Sequence, residues 1–164
     1  MAVIKLGTSI VLSPAGAIIR IMPMPGAEQK QIDGVNHSYY VLAFDKSLVQ
    51  MADWQFLMPP SYDEGDVQVQ IFWVATPVVG GVVFDVNFAN AGDSDSCDPV
   101  LTNQACAAVT VDGTTRDINI SSCTLTTPFN AGEYAIVRIH RETGDAGDDM
   151  DGDAEIIGVI LQWV

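Results

Sequence analysis

Val67-Gln-Val-Gln-Ile-Phe-Trp-Val74 carries an apolar residue at every odd position, whereas positions 68 and 70 are glutamines. Successive side chains of a β-strand point to opposite faces, so this period of two predicts a strand with one buried face. The same period recurs over residues 82–89 and 134–141. The chain is therefore expected to be built from strands rather than helices.

The last stretch, residues 154–164, is apolar on both faces of the predicted strand. Such a strand is typical of the centre of a sheet, or of a strand covered by a neighbouring chain. The alternation places Ile157, Val159, Leu161 and Trp163 on one face, opposite Ile156, Gly158, Ile160 and Gln162.

Shorter apolar runs predict further strands, and Gly, Pro, Asn and Asp clusters separate them as turns. Residues 90–104 are rich in Asp, Ser and Asn and predict an exposed loop, and one helical turn is possible over residues 45–51. Roughly ten short strands without an amphipathic helix predict an all-β antiparallel sandwich or barrel. The shorter strands are expected at residues 3–6, 17–22, 39–44, 54–58, 107–111 and 118–125.

Residues 1–38 differ in character from residues 39–164, because Pro23, Pro25 and Gly26 interrupt two apolar runs. This composition fits either an extended N-terminal arm that packs on a neighbouring subunit or an extra hairpin of the same domain. The candidate contacts with a partner subunit are the apolar residues of this segment, Ile18, Ile19, Ile21, Met22 and Met24.

The charge balance argues against two classes of partner. The 164 residues include 7 Lys and Arg against 21 Asp and Glu, a formal net charge of −14. Phosphate backbones and anionic membrane surfaces would be repelled, so nucleic-acid and membrane binding are not expected. No apolar run reaches the length of a membrane span.

One acidic loop is a candidate metal site. Residues 144–155 contain Asp149, Asp151 and Asp153 at alternate positions, a spacing that calcium-binding loops use. The flanks are predicted strands, however, whereas a calcium-binding helix–loop–helix motif needs helices. The alternative is a solvated loop whose aspartates bond local backbone amides.

No catalytic constellation or cofactor motif is recognisable in the sequence. The chain lacks a Gly-x-Ser-x-Gly elbow and a glycine-rich phosphate loop, so neither an enzyme nor a cofactor is expected. Of the two histidines, His37 and His140, the second lies on a predicted strand and is interpreted as a surface residue. Cys97 and Cys106 bracket a polar loop and could pair, although a protein made in the cytosol would more often keep them as thiols.

The chain from about residue 40 onward resembles a small jelly-roll domain of tailed bacteriophage virion proteins, of the marine and cyanobacterial phage type. The most specific motif is Gly152-Asp-Ala154 followed by Gly158-Val159, and it closes a pattern that includes residues 56–62, 65–73 and 137–141. The resemblance implies a β-sandwich of jelly-roll type and a non-enzymatic virion protein. It carries over no catalytic residues.

This resemblance implies a capsid decoration (cement) protein, or else a tail or fibre component. The expected location is the virion, which is assembled in the host cytoplasm. The expected partners are the major capsid protein or other virion proteins. The protein's own subunits are expected to form a homotrimer. The alternative from another class is a receptor- or carbohydrate-binding module. That alternative predicts solvent-exposed aromatic side chains, and the exposure of Trp54 and Tyr62 discriminates between the two functions. Trp73 and Trp163 are expected in the core.

Overall fold

Two antiparallel sheets pack face to face in the computed structural model, which describes residues 8–19, 25–77 and 79–163. The first sheet contains β1 (Thr8–Leu12), β3 (Glu28–Asp33), β4 (Ser38–Phe44), β6 (Val67–Ala75), β11 (Asn119–Leu125) and β13 (Ala154–Trp163). The second sheet contains β2 (Ile18–Ile19), β5 (Met51–Leu57), β8 (Phe84–Ala91), β9 (Thr102–Ala105) and β12 (Tyr134–Arg141). A separate two-stranded ribbon joins β7 (Gly81–Val82) to β10 (Val109–Thr110), and a 3₁₀ turn spans Pro14–Gly16.

The strand order is β11-β6-β13-β4-β3 in the first sheet and β2-β5-β12-β8-β9 in the second. Consecutive strands often lie in opposite sheets, so the chain crosses from one sheet to the other repeatedly. The two packed antiparallel sheets confirm the predicted antiparallel sandwich. No helix among the described residues is long and apolar enough to span a membrane.

The core lies between the sheets, and β6 shows why. Val67, Val69, Ile71 and Trp73 are fully buried on its inner face, while Gln68 is exposed on the other. The polar edge of the Trp73 indole is satisfied inside the core, where Nε1 donates to the hydroxyl of Ser121 at 3.0 Å. The period of two therefore predicted both the strand and its buried face.

β13 is a central strand, as its two apolar faces predicted, but a β-bulge between Ile156 and Gly158 shifts its register. As a result Ile156 and Val159 are both fully buried in the core, and Ile157 is half-buried away from it. The predicted strict alternation, with Ile157 facing the same way as Val159, is wrong at this point. A bulge inserts one residue into the strand, so the faces exchange at that residue.

The same bulge marks a change of neighbour. Before it, β13 pairs with β4 through residues 154–156, and after it β13 pairs with β1 through residues 159–163. Only residues 42–44 of β4 are paired with β13, so the first half of β4 has a free edge on that side. The separation of β4 from β1 along β13 leaves room for the candidate site.

The described part of residues 1–38 contributes strands to both sheets. β1 pairs with β13, β2 pairs with β5, and β3 pairs with β4 in a hairpin that crosses the predicted boundary at residue 38. The strand expected at residues 3–6, and residues 20–22 of the next one, lie outside the described residues.

Most of the other expected strands are confirmed within two or three residues, whereas β1, β3 and β9 were not predicted. β3 and β9 were not predicted because they are edge strands with mainly polar side chains, and β9 lies inside the expected loop over residues 90–104. The helical turn considered for residues 45–51 is absent, because Asp45 accepts a hydrogen bond from the backbone N–H of Ser47 in a local bend.

The disulfide also differs from the expectation. Cys106 bonds to Cys123, with 4.9 Å between their Cα atoms, and Cys97 is an exposed free thiol. Neither alternative considered for Cys106, a bond to Cys97 or a free thiol, matches the structure, because the chain places Cys106 beside Cys123 of β11.

Candidate functional site

A crevice of about 450 Å³ opens on the first sheet where β4 and β1 diverge along β13. We call it the β13 crevice. It is lined by Ser13, Pro14, Ala15, His37, Tyr39, Tyr40, Val74, Arg116, Ile118 and Ile157.

Aromatic rings from the start of β4 form one wall of the β13 crevice. Tyr40 is 53% exposed, which is unusual for so large a ring, and the neighbouring Tyr39 is half-buried. The rings of Tyr39 and His37 are tilted toward each other with centroids 5.6 Å apart. Consecutive residues of a strand normally face opposite sides, and both tyrosines reach the crevice because this part of β4 is not paired with β13.

Arg116 is a polar residue of the crevice wall, and its half-buried side chain is held by an ion pair with Glu155. Arg116 has a left-handed backbone with φ of 63°, and its N–H donates to the carbonyl of Ala75 at 2.8 Å. Its Nη1 donates to Glu155 Oε2 at 2.8 Å and to the hydroxyl of Tyr39 at 3.2 Å. Glu155 is buried, so the guanidinium neutralises it and is held beside the aromatic wall.

This combination suits a ligand with both apolar and hydroxylated surfaces. Ring faces such as that of Tyr40 pack against C–H groups, while a fixed guanidinium and the tyrosine hydroxyls exchange hydrogen bonds with hydroxyl groups of a ligand. Few polar groups in a mainly apolar concavity are the usual composition of a small-molecule site.

A second concavity, the polar cleft, lies on the outer face of the second sheet and measures about 580 Å³. Its floor carries a two-point ion pair in which Arg138 donates from Nε and Nη2 to the two oxygens of Asp53, at 2.7 and 2.8 Å. Hydrogen bonding to Asp53 raises the pKa of the Arg138 guanidinium, and burial opposes the rise. Gln55 and Cys97 also line it. The described residues that line the polar cleft include no aromatic ring, so the β13 crevice is the better candidate.

The structure gives each carboxylate of the predicted calcium site a different partner. Asp149 accepts the backbone N–H of Gly81 at 2.6 Å, Asp151 pairs with Lys46, and Asp153 pairs with Lys30 at 3.4 Å. Among the described residues these three carboxylates do not form a group with ligand atoms close together. The amide contact of Asp149 matches the alternative of a loop held by backbone hydrogen bonds.

The structure describes two of the five residues predicted to contact a partner subunit, and these two differ in exposure. Ile18 is 46% exposed at the edge of the second sheet, whereas Ile19 is half-buried against the core. Ile21, Met22 and Met24 lie outside the described residues.

The aromatic residues chosen to discriminate a carbohydrate-binding module are buried. Trp54 and Tyr62 are 3% and 4% exposed, and Trp73 and Trp163 belong to the same core. An aromatic binding surface therefore cannot use these four side chains. The sequence interpretation missed Tyr39 and Tyr40, whose only signal was a pair of tyrosines at the polar end of a predicted strand.

Comparison with known proteins identifies the fold but no family. No protein-family model and no curated protein matches the chain. A family 35 carbohydrate-binding module from Clostridium thermocellum superposes with a TM-score of 0.56 at 11% identity, covering 94% of this chain and 97% of that one.

Two family 6 carbohydrate-binding modules are also similar. One from Clostridium stercorarium, solved in complex with cellobiose, gives a TM-score of 0.52 at 11% identity and covers 93% of this chain and 92% of that one. The C-terminal module of the marine laminarinase LamC from Zobellia galactanivorans gives 0.51 at 11% identity, with 95% and 100% covered.

At such low identities this likeness establishes the fold alone, a β-sandwich of jelly-roll type, as the sequence predicted. The three neighbours named here are carbohydrate-binding modules rather than virion proteins. The virion location, the capsid partner and the homotrimer stay predictions.

Proposed function

We propose that this domain is a non-catalytic carbohydrate-binding module that holds a glycan in the β13 crevice. The observation that carries the proposal is the exposed ring of Tyr40 in a mainly apolar concavity that is also lined by Arg116, which Glu155 holds in place. The jelly-roll fold, which the modules named above share, supports it. One of these neighbours was solved with cellobiose, so β-linked glucans belong in the first test.

The charge of the domain selects the class of glycan. With a net charge of −14, the domain repels polyanionic polysaccharides at low ionic strength. Arg116 is already neutralised by Glu155, so it offers hydrogen bonds rather than a free positive charge. The proposed ligand is therefore a neutral oligosaccharide or polysaccharide.

Replacing Tyr40 with Ala is expected to weaken glycan binding about tenfold. A ring face that covers about 60 Å² of sugar contributes roughly 1.5 kcal/mol at ~25 cal/mol per Å², and this corresponds to about a factor of ten in the dissociation constant. The measurement is isothermal titration calorimetry with cellohexaose, laminarihexaose, xylohexaose and galactohexaose. Tyr40 is exposed, so the variant should keep the melting temperature of the unmodified protein.

The matched control is Leu57→Ala, which removes an exposed apolar side chain from the second sheet, 70% exposed and outside the crevice. It should bind like the unmodified protein. Tyr40→Phe keeps the ring and should retain most of the affinity. The proposal fails if the unmodified domain binds none of the four glycans, or if Tyr40→Ala binds as well as the Leu57→Ala control.

A further inference from the structure

We propose that Asp85, His140 and Glu142 form a binding site for a divalent transition-metal ion of the zinc class. The site lies on the outer face of the second sheet and shares no residue with the lining of the β13 crevice. Glu142 precedes the acidic loop, and its Oε1 accepts the backbone N–H of Gly144 at 3.3 Å. Asp85 and His140 are directly opposite each other on β8 and β12, and Glu142 follows the end of β12. The inference does not depend on the proposed carbohydrate-binding function.

The three side chains converge at the distances that such an ion requires. The Nε2 atom of His140 lies 3.8 Å from Asp85 Oδ2 and 3.5 Å from Glu142 Oε2. One ligand atom from each residue lies within 4.8 Å of the other two. Tetrahedral ligands about 2.1 Å from a zinc ion are roughly 3.4 Å apart, so small side-chain rotations would close the site.

A series of hydrogen bonds determines which ring nitrogen of His140 donates a proton to the neighbouring amide. Carboxylate oxygens only accept, so Asn103 must present its Nδ2 to Asp85 Oδ2, at 2.7 Å. The oxygen of Asn103 then accepts from Asn87 Nδ2, also at 2.7 Å. The oxygen of Asn87 is left as an acceptor for Nδ1 of His140, 3.1 Å away.

His140 therefore carries a proton on Nδ1, and in the neutral ring the lone pair of Nε2 points at two carboxylates. Three electron-rich atoms that face one another need a positive charge between them, which is supplied either by a proton on Nε2 or by a bound metal ion. An imidazole whose far nitrogen donates to an amide oxygen is the usual arrangement of a metal-binding histidine.

Asp85 supplies an independent indication of a ligand. Its side chain is 9% exposed, and among the described residues its Oδ1 is a buried polar atom without a hydrogen-bond partner. A buried carboxylate oxygen without a partner is costly, and the cost is removed when a cation binds to it. His140, interpreted from the sequence as a surface residue, lies on the outer face of the second sheet, and its side chain is 14% exposed.

The ligand set selects the metal. One imidazole and two carboxylates suit zinc, whereas calcium takes six to eight oxygen ligands, which these residues do not supply. Three protein ligands also leave at least one coordination position for water or a bound anion.

The test uses untagged protein freed of metal with a chelator, in a Cys97→Ser background, because the exposed thiol would itself bind zinc. Calorimetric titration with Zn²⁺ should give one equivalent of saturable binding, and Ca²⁺ should give none at the same concentration. His140→Gln and Asp85→Asn should each weaken zinc binding at least tenfold. Asn87→Ala, which frees the imidazole ring to rotate, should weaken it about tenfold.

His37→Gln is the matched control, because it removes the other histidine of the chain and should leave zinc affinity unchanged. If a site variant proves unstable, nitrogen-15 NMR of the unmodified protein gives the answer, since zinc should shift the Nε2 signal of His140 while Nδ1 keeps its proton. The proposal is overturned if zinc does not bind with saturation, if His140→Gln binds as tightly as His37→Gln, or if the Nε2 signal does not move.

Discussion

Arg141→Met is expected to lower the free energy of unfolding by about 3 to 5 kcal/mol. The Arg141 side chain is fully buried, and it donates to both oxygens of Asp148 from Nε at 3.0 Å and to Oδ1 from Nη2 at 2.7 Å. Asp148 is itself only 1% exposed. Removing the guanidinium would leave a buried carboxylate without its countercharge, and this is the costly way to break a buried ion pair.

Arg141 also anchors the acidic loop to the sandwich. Its guanidinium donates to the carbonyls of Gly152 at 2.6 Å and Met150 at 3.0 Å. One side chain therefore holds the loop at both of these residues as well as at Asp148. A second support is independent of arginine, because Asp148 accepts the backbone N–H of Val83 at 3.0 Å. We therefore expect the loop to loosen in the variant while the strands remain.

Urea denaturation measures this prediction, with the midpoint and slope fitted for each variant. Lys46→Met is the control, since it breaks an ion pair to the same loop, with Asp151, in which both partners are solvent-exposed. That loss should stay below about 1 kcal/mol. Adding Asp148→Asn to Arg141→Met should recover part of the stability, because the uncompensated charge disappears. A loss for Arg141→Met as small as that of the control would contradict the role assigned to the buried pair.

Replacing both Cys106 and Cys123 with alanine is expected to cost about 3 kcal/mol of stability under non-reducing conditions. The two cysteines are 17 residues apart, and closing a loop of that size removes roughly this much conformational freedom from the unfolded chain. The bond ties the segment before β10 to β11, which lies at the edge of the first sheet.

Cys97→Ser provides the comparison, because it removes the exposed free cysteine and should leave stability within about 0.5 kcal/mol. Titration of thiols in the unfolded, unreduced protein should find one reactive group, and none in the Cys97→Ser variant. Three titratable thiols, or equal stability of the double alanine variant and the unmodified protein, would show that this pair is not bonded.

The sequence predicted the strands that carry the core, because the signal for a strand is local. The odd positions of β6 and the inner residues of β12 are apolar, so their burial follows from the period of two alone. The same signal is weak where a strand lies at a sheet edge with polar side chains, so β3 and β9 were missed. The structure gives the three calcium candidates separate partners and bonds Cys106 to Cys123 rather than to Cys97. A spacing along the chain could not show this, because it does not specify which side chains face one another.

By itself, then, the sequence determined the class of the fold, its antiparallel sandwich and the acidity of its surface. Only the tertiary structure decided where a site could form. Tyr40 and Arg116 line one crevice because β13 changes its neighbour at a bulge. Asp85 meets His140 because β8 pairs with β12 across more than fifty residues of chain. Strand register is set by contacts between distant segments and shifts wherever a bulge is inserted, so no local pattern encodes these meetings.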